Sequence, residues 1–265
     1  MRLIVTQPAI HFSESCSRIR DIIPLLERTG VSPENADVLV LPELIGGSAD
    51  RSKYLMEVEE LSHNAGVCVV GGSHYWREAD RVVNCGAVVN PQGQIIATYE
   101  KSHPYGQELC DRVAAGNGGA FFEIGGVRCL VLICADFWYS SSFHACELQP
   151  DVVFVPAFSF SERPTPEIAR ARWRHAAITR AYEFATFVAI SDWAYPVAYR
   201  GRASSGVAGL AHPNPTAARG LFQGVGRARV RSFELDMTAL QDLRASRSER
   251  GFCLQSSMKI GSVDR

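Results

Sequence analysis

The sequence holds eight cysteines, Cys16, Cys68, Cys85, Cys110, Cys129, Cys134, Cys146 and Cys253, yet it contains no C-x-x-C pair. That absence leaves neither a zinc ribbon nor a thioredoxin-like redox motif supported. No apolar run approaches the roughly 18 residues needed to cross a bilayer, so no membrane partner is expected. There is no charge excess either. Lys and Arg number 27 against 28 Asp and Glu, for a formal net charge of −1, so no global field favours nucleic acid or an anionic surface. The opening Met1-Arg2-Leu3-Ile4-Val5 lacks the longer apolar region and small-residue cleavage site of a signal peptide. A cytoplasmic location is expected, with most thiols reduced and buried as small hydrophobes. No repeat, low-complexity tract or linker divides the 265 residues, of which 46% are hydrophobic. They are expected to form one sizeable domain, with a polar C-terminal tail from about residue 247 that wraps or docks on a partner.

What is present is a series of short apolar runs alternating with helical periods. Leu3 to Val5, Val38 to Leu41, Val67 to Val70, Leu130 to Ile133, Asp151 to Val155 and Phe187 to Ile190 read as buried strands. Asn90-Pro91-Gln92-Gly93 and Gly125-Gly126 each join two strands as hairpins. Ser205 to Leu210 and Arg227 to Leu235 read as a terminal strand pair. Helices are expected around Ile19 to Leu26, with Ser13 or Ser15 as cap and Pro24 as a kink or early stop. Others are expected from Tyr54 to Ala65, from about Glu167 to Glu183 and from Met237 to Ala245. One side of the Glu167–Glu183 helix carries Arg170, Arg172, Arg174 and Arg180, which reads as a solvated face. Strands alternating with helices and mixed with hairpins predict a layered α/β fold, with two packed mixed sheets and helices outside.

Three polar side chains stand at strand ends, where α/β folds build their sites. Cys134 closes the run Leu130 to Ile133, Glu43 follows the strand ending at Leu41-Pro42, and Lys101 ends the second strand of the first hairpin. A cysteine attacks an electrophilic carbon only as its thiolate, and burial opposes that charge, so a base or a cation must stand nearby. Glu43 fits a base, and Lys101 fits a cation that steadies the thiolate and an oxyanion. A thiolate at Cys134 is expected to label with iodoacetamide ahead of the other seven cysteines. Phe137, Trp138, Phe158 and Trp193 are aromatic candidates for a pocket lining, with ordinary core packing as the alternative. His103 and His144 read as structural residues.

Val38-Leu39-Val40-Leu41-Pro42-Glu43, Tyr99-Glu100-Lys101-Ser102-His103-Pro104 and Leu132-Ile133-Cys134-Ala135-Asp136 come in an order that resembles the nitrilase, or carbon–nitrogen hydrolase, superfamily. Trp173 to Val188 and Ser204 to Leu210 extend the resemblance over roughly residues 1 to 235. The resemblance implies a four-layer αββα sandwich, with no metal or organic cofactor. It implies a Glu43–Lys101–Cys134 triad, with Glu108, seven residues after Lys101, as an assisting glutamate. The Ala135 backbone N–H would share the oxyanion with Lys101, and Ala135, Phe137, Trp138 and Phe158 would meet the substrate. The expected reaction is hydrolysis of a small linear amide or carbamoyl compound through a Cys134 thioester, releasing ammonia or an amine. Asp136 tilts the resemblance toward amides rather than nitriles, while Ala135 is smaller than the family's usual residue. An N-acyltransferase using the same acyl-enzyme and a catalytically silent binding protein on the same fold are the alternatives. The family also implies a homodimer or higher homo-oligomer.

Overall fold

Alternate residues of the central strands face opposite ways, and both faces are apolar. Leu3, Val5, Val38 and Val40 enter one core, while Ile4, Leu39 and Leu41 enter another. A strand buried on both faces reads as a continuous apolar run for this reason. The computed structural model describes residues 1–145, 148–161, 163 and 165–252.

The order of elements begins β1 (Arg2–Thr6), α1 (Ile22–Thr29), β2 (Asp37–Val40), α2 (Arg51–Ala65), β3 (Cys68–Val70), β4 (His74–Glu78), β5 (Arg81–Val89) and β6 (Ile95–Glu100). It continues through α3 (Gln107–Cys110), β7 (Ala120–Ile124), β8 (Val127–Val131), α4 (Ser141–His144), β9 (Val152–Pro156), α5 (Glu167–Glu183) and β10 (Phe187–Ser191). It closes with β11 (Ala198–Tyr199), β12 (Arg202–Ala203), β13 (Gly209–Ala211), β14 (Phe222–Gly224), β15 (Val230–Glu234) and α6 (Met237–Glu249).

One sheet runs β15-β1-β2-β3-β5-β4, with β6 also on β5; the other runs β14-β13-β10-β9-β8-β7. Each has a parallel centre, β1, β2 and β3 in the first and β8, β9 and β10 in the second, with antiparallel flanks. The inner faces meet through Val38, Val40 and Val70 on one side and Val131, Phe154 and Ala189 on the other. The outer face of the first sheet packs on Ile22, Leu25 and Leu26 of α1 and on Tyr54, Val58 and Leu61 of α2. The outer face of the second packs on Trp173, Ala177 and Ala181 of α5. The result is the αββα sandwich, and it brings the ends of β2, β8 and β9 together at one edge.

Four readings of the sequence change. The segment Arg227 to Leu235 does not pair with Ser205 to Leu210: β15 lies antiparallel to β1 in the first sheet, while β13 pairs with β14 and β10 in the second. The connection between them crosses from one sheet to the other, which strand propensity does not encode. Neither Ser13 nor Ser15 caps a helix; Ser17 Oγ accepts the Ile19 N–H of a short turn ahead of α1. Pro24 falls in the first turn of α1, where no intrahelical partner for its missing N–H is needed. The last helix runs four residues past Ala245, to Glu249, and takes in Arg247, so it includes the start of the expected tail. Residues 253–265 of that tail lie outside the described residues. Among the described residues no helix is long and apolar enough to cross a membrane.

Candidate active site

Glu43 stands three residues beyond the end of β2, and its backbone is held on three sides. Its N–H donates to Ala157 O at 3.3 Å, the indole Nε1–H of Trp193 donates to its carbonyl at 2.7 Å, and the next residue, Leu44, donates to Ser73 Oγ at 2.9 Å. Leu44 takes a left-handed φ of 59°, a conformation that turns the chain here at a cost in backbone strain. The carboxylate is left with three donors. Oε1 accepts from Lys101 Nζ at 2.7 Å and from Asn84 Nδ2 at 2.9 Å, and Oε2 accepts the Phe158 N–H at 2.9 Å.

Lys101 follows β6, and its N–H donates to Asn84 O at 2.8 Å. Its ammonium is shared, since Nζ also donates to Glu108 Oε2 at 2.6 Å. Glu108 comes from the one-turn helix α3, and its Oε2 also accepts the Tyr105 N–H at 2.9 Å. Asn84, in the middle of β5, donates to Glu108 Oε1 at 2.8 Å as well as to Glu43. All four side chains are nearly or fully buried. A buried cation between two carboxylates is tolerable only because every carboxylate oxygen finds a donor.

Cys134 begins a short turn after β8, with a left-handed φ of 42°. A non-glycine residue held there carries roughly 1–3 kcal/mol of strain, which the sheet edge and the Asp136 N–H to Ile133 O bond (2.9 Å) sustain. Cys134 is partly exposed, lines the cavity beside Glu43, and directs its thiol toward Phe158 O at 4.0 Å. The Ala135 N–H has no acceptor among the described residues and stands beside the thiol. Asp136 is fully buried and faces away from the cavity. Its carboxylate accepts the Ser102 N–H at 3.1 Å, the Ser102 hydroxyl at 3.2 Å, the His103 N–H at 2.8 Å and His103 Nδ1 at 2.7 Å.

The electrostatics follow from this crowding. Burial raises the Glu43 carboxyl above its usual range, opposed by Lys101 and reinforced by the like charge of Glu108. Burial also works against the Lys101 ammonium, but Glu43 and Glu108 outweigh it, so Lys101 stays charged. Burial, then the negative charge of Glu43, pushes the Cys134 thiol well above 9.0, with Lys101 pulling the other way. At rest Cys134 is therefore a thiol, beside a carboxyl whose own proton affinity is raised. Behind Phe158, Asp192 accepts the Ser159 N–H at 3.0 Å and the Val207 N–H at 2.8 Å, which fixes the turn that aims the Phe158 N–H at Glu43. Burial pushes the Asp192 carboxyl up to about 6.

Glu43, Lys101, Glu108 and Cys134 lie in one cavity of about 570 Å³, within the range of small-molecule sites. Ala135, Trp138 and Phe158 line it too. Phe137 does not. It is fully buried beneath α5, stacked on Trp173 at 5.8 Å and edge-on to Phe143 at 5.9 Å, so its place among the substrate-facing residues is corrected to core packing. Trp193 is likewise buried and acts on the backbone of Glu43. His103 supports Asp136, and His144 packs edge-on to Phe184. The arginine side of α5 is more than a solvated face, because Arg172 lines the cavity.

Sequence reasoning missed Asn84, Tyr75 and Tyr199. Asn84 left a signal, an amide set between Val82-Val83 and Cys85 in an apolar strand. Tyr75 and Tyr199 left none. Among the described residues no group of three or more His, Cys, Asp or Glu is placed to hold a metal ion.

The fold is that of the nitrilase superfamily. Nit3 of Saccharomyces cerevisiae, a member of that superfamily, superposes with a TM-score of 0.74 at 15% identity, covering 93% of each chain. An amidase from Nesterenkonia superposes with a TM-score of 0.66 at 18% identity, covering 96% of each chain. Residues 13–206 match the carbon-nitrogen hydrolase family, and the chain belongs to it. The 2-oxoglutaramate amidase of Bacillus subtilis is 31% identical over 171 residues, 59% of this chain and 63% of that protein's length. The deaminated glutathione amidase of Homo sapiens is 31% identical over 93 residues, 33% of this chain and 25% of that protein.

Proposed function

We propose that the protein hydrolyses a small linear amide through a thioester on Cys134. The observation that carries this reading is Lys101 Nζ bonded to Glu43 at 2.7 Å and to Glu108 at 2.6 Å, in a cavity that also holds the Cys134 thiol. Family membership and two relatives named as amidases support amides as the substrate class.

In this reading the Glu43 carboxylate takes the thiol proton as Cys134 Sγ attacks the amide carbon. The carbonyl oxygen becomes an oxyanion, held by Lys101 Nζ and the free Ala135 N–H. Glu43 then passes its proton to the amide nitrogen. The C–N bond breaks, and ammonia or an amine leaves behind a thioester. Water, with its proton taken by Glu43, attacks the thioester, releases the acid and returns the proton to Sγ. Lys101 keeps its charge throughout because two carboxylates face it. Glu108 holds the ammonium in place and leaves Glu43 free to exchange protons. Trp138 and Phe158 supply apolar wall for the carbon skeleton of a compact substrate.

The test is an ammonia-release screen over aliphatic amides, ω-amides, carbamoyl amino acids and nitriles, with Cys134→Ala as control. Turnover of an amide that Cys134→Ala loses, with an acyl adduct on Cys134 seen by mass spectrometry after rapid quenching, is the expected result. Full turnover by Cys134→Ala would sink the scheme, and preferred turnover of nitriles would sink the amide assignment.

A further inference from the structure

The floor of the cavity offers a substrate no unpaired cation, because the Lys101 ammonium is bonded to both glutamates. The walls differ. Arg172 on α5 and Arg202 on β12 both line the cavity and are exposed at its mouth. Neither has an acidic partner within ion-pair distance among the described residues, whereas the neighbouring Arg200 is bound to Glu14 at 2.9 Å and to Asp111 at 2.6 Å. The only acids among the described lining residues are Glu43 and Glu108, both on the floor. Arg202 reaches over the turn that starts α3: its Nη1 would stand 3.8 Å from a Cβ at Gly106. A second group points to a ligand independently. Tyr199 is only 5% exposed and lines the same cavity; its buried hydroxyl has the Tyr75 hydroxyl as a neighbour but makes no hydrogen bond of good geometry among the described residues. A buried hydroxyl left unpaired is costly, and a ligand oxygen would satisfy it.

We propose that the mouth of this cavity is a carboxylate-recognition site, so that the preferred substrates are short ω-amides bearing a carboxylate at the end remote from the scissile C–N bond. This rests on the amide-hydrolysis reading of the same site. The amide end lies on the floor against Cys134. The carboxylate lies between Arg172 and Arg202, with the Tyr199 hydroxyl as a neutral donor along the way. Guanidinium forks match a carboxylate in two-bond geometry. A cavity whose uncompensated charges are all of one sign at its entrance also concentrates an anionic substrate there.

The experiment compares kcat/KM for succinamate and glutaramate with that for neutral butyramide and cationic 4-aminobutyramide, at low and high salt. The wild-type protein is expected to favour the anionic amides over butyramide at least about tenfold at low salt, less at high salt. Arg172→Gln and Arg202→Gln should each lower that ratio several-fold, Tyr199→Phe should lower it less, and Arg172→Glu should turn the preference toward 4-aminobutyramide. Equal kcat/KM for anionic and neutral amides in the wild type, or a ratio that neither arginine substitution moves, overturns the proposal while leaving amide hydrolysis standing. Binding provides a readout free of turnover. Calorimetric titration of Cys134→Ala with succinamate should show saturable binding that weakens about tenfold on adding Arg172→Gln. If no amide is hydrolysed by the wild type but this binding and its loss are seen, the hydrolysis reading fails and the carboxylate site stands; if binding is absent or indifferent to Arg172, the site fails.

Discussion

Asp136 and His103 fasten the cysteine turn to the lysine segment: the fully buried carboxylate accepts both the backbone N–H of His103, at 2.8 Å, and its ring Nδ1, at 2.7 Å. Asp136 lies two residues after Cys134 and His103 two residues after Lys101. One carboxylate therefore sets the distance between two groups that come from different sheets. It does so without touching the cavity, so whatever it says about substrate comes only through the geometry it enforces.

Replacing Asp136 with Ala leaves the Ser102 and His103 donors without their acceptor. These donors are half-buried, so each left unpaired costs less than the roughly 1–3 kcal/mol of a fully buried one. A lower Tm is expected, together with a kcat reduced about tenfold to a hundredfold as Lys101 drifts from the thiol. A role in positioning predicts that kcat falls more than KM rises. Steady-state kinetics on the substrate found in the amide screen, alongside thermal unfolding, measures both. A variant with normal Tm and unchanged kcat would show that the fastening is dispensable.

Thiol labelling departs from the sequence expectation. Burial and then the Glu43 charge hold Cys134 as a thiol, whereas the exposed Cys16 has its pKa lowered below 9.0, first by Ser15 and then by Ser13. Iodoacetamide near neutral pH should therefore label Cys16 before Cys134. Glu43→Gln removes the negative charge and leaves Lys101 facing the sulfur. Cys134 should then label faster than in the wild type, while amide turnover falls by several orders of magnitude. Peptide mapping by mass spectrometry over a time course reads both cysteines. Slower labelling of Cys134 in Glu43→Gln would contradict the electrostatic account.

If Glu43 is the base, the acid limb of activity should carry its signature. In the proposed scheme the carboxyl must be ionised to take the thiol proton, and burial raises it above 4.5. Activity is therefore present above that raised pKa and is lost as pH falls through it, so the acid midpoint of kcat/KM should lie above 4.5. Asn84→Ala removes a donor that favours the ionised form and should move the midpoint higher still. An acid limb unmoved in Asn84→Ala would separate Asn84 from the titration of the site.

Adjacent aromatics should behave differently. Phe137 fills the space beneath α5, and Phe137→Ala should cost about 3–5 kcal/mol of stability, visible as a large drop in Tm or in urea midpoint. Trp138 lines the cavity and is 42% exposed. Trp138→Ala should change Tm little and raise KM instead. The reverse pattern would place the wrong ring in the cavity wall.

Much of this was legible because it is local. The runs Val38 to Leu41 and Leu130 to Ile133 announce strands buried on both faces, and a polar residue directly after such a run stands at a strand end whatever surrounds it. Glu43, Lys101 and Cys134 were singled out in this way and lie in one cavity, and the order of their segments pointed to the family and to the sandwich. The two hairpins and α5 were equally readable from turn residues and period. What the tertiary structure alone decided is non-local. Phe137 and Trp138 are chemically similar neighbours, and only the packing of α5 against the turn buries one and leaves the other in the cavity. Asn84 became a bridge between two glutamates because β5 lies beside β3 and β6 in the first sheet. Arg172 and Arg202 line one cavity only because the fold brings α5 and β12 to it. The sequence by itself determined which residues end strands and which chemistry they carry, since backbone period and side-chain polarity are properties of a few consecutive residues. The tertiary structure decided which of those ends face one another, because strand order and sheet stacking are fixed by burying the whole apolar surface at once.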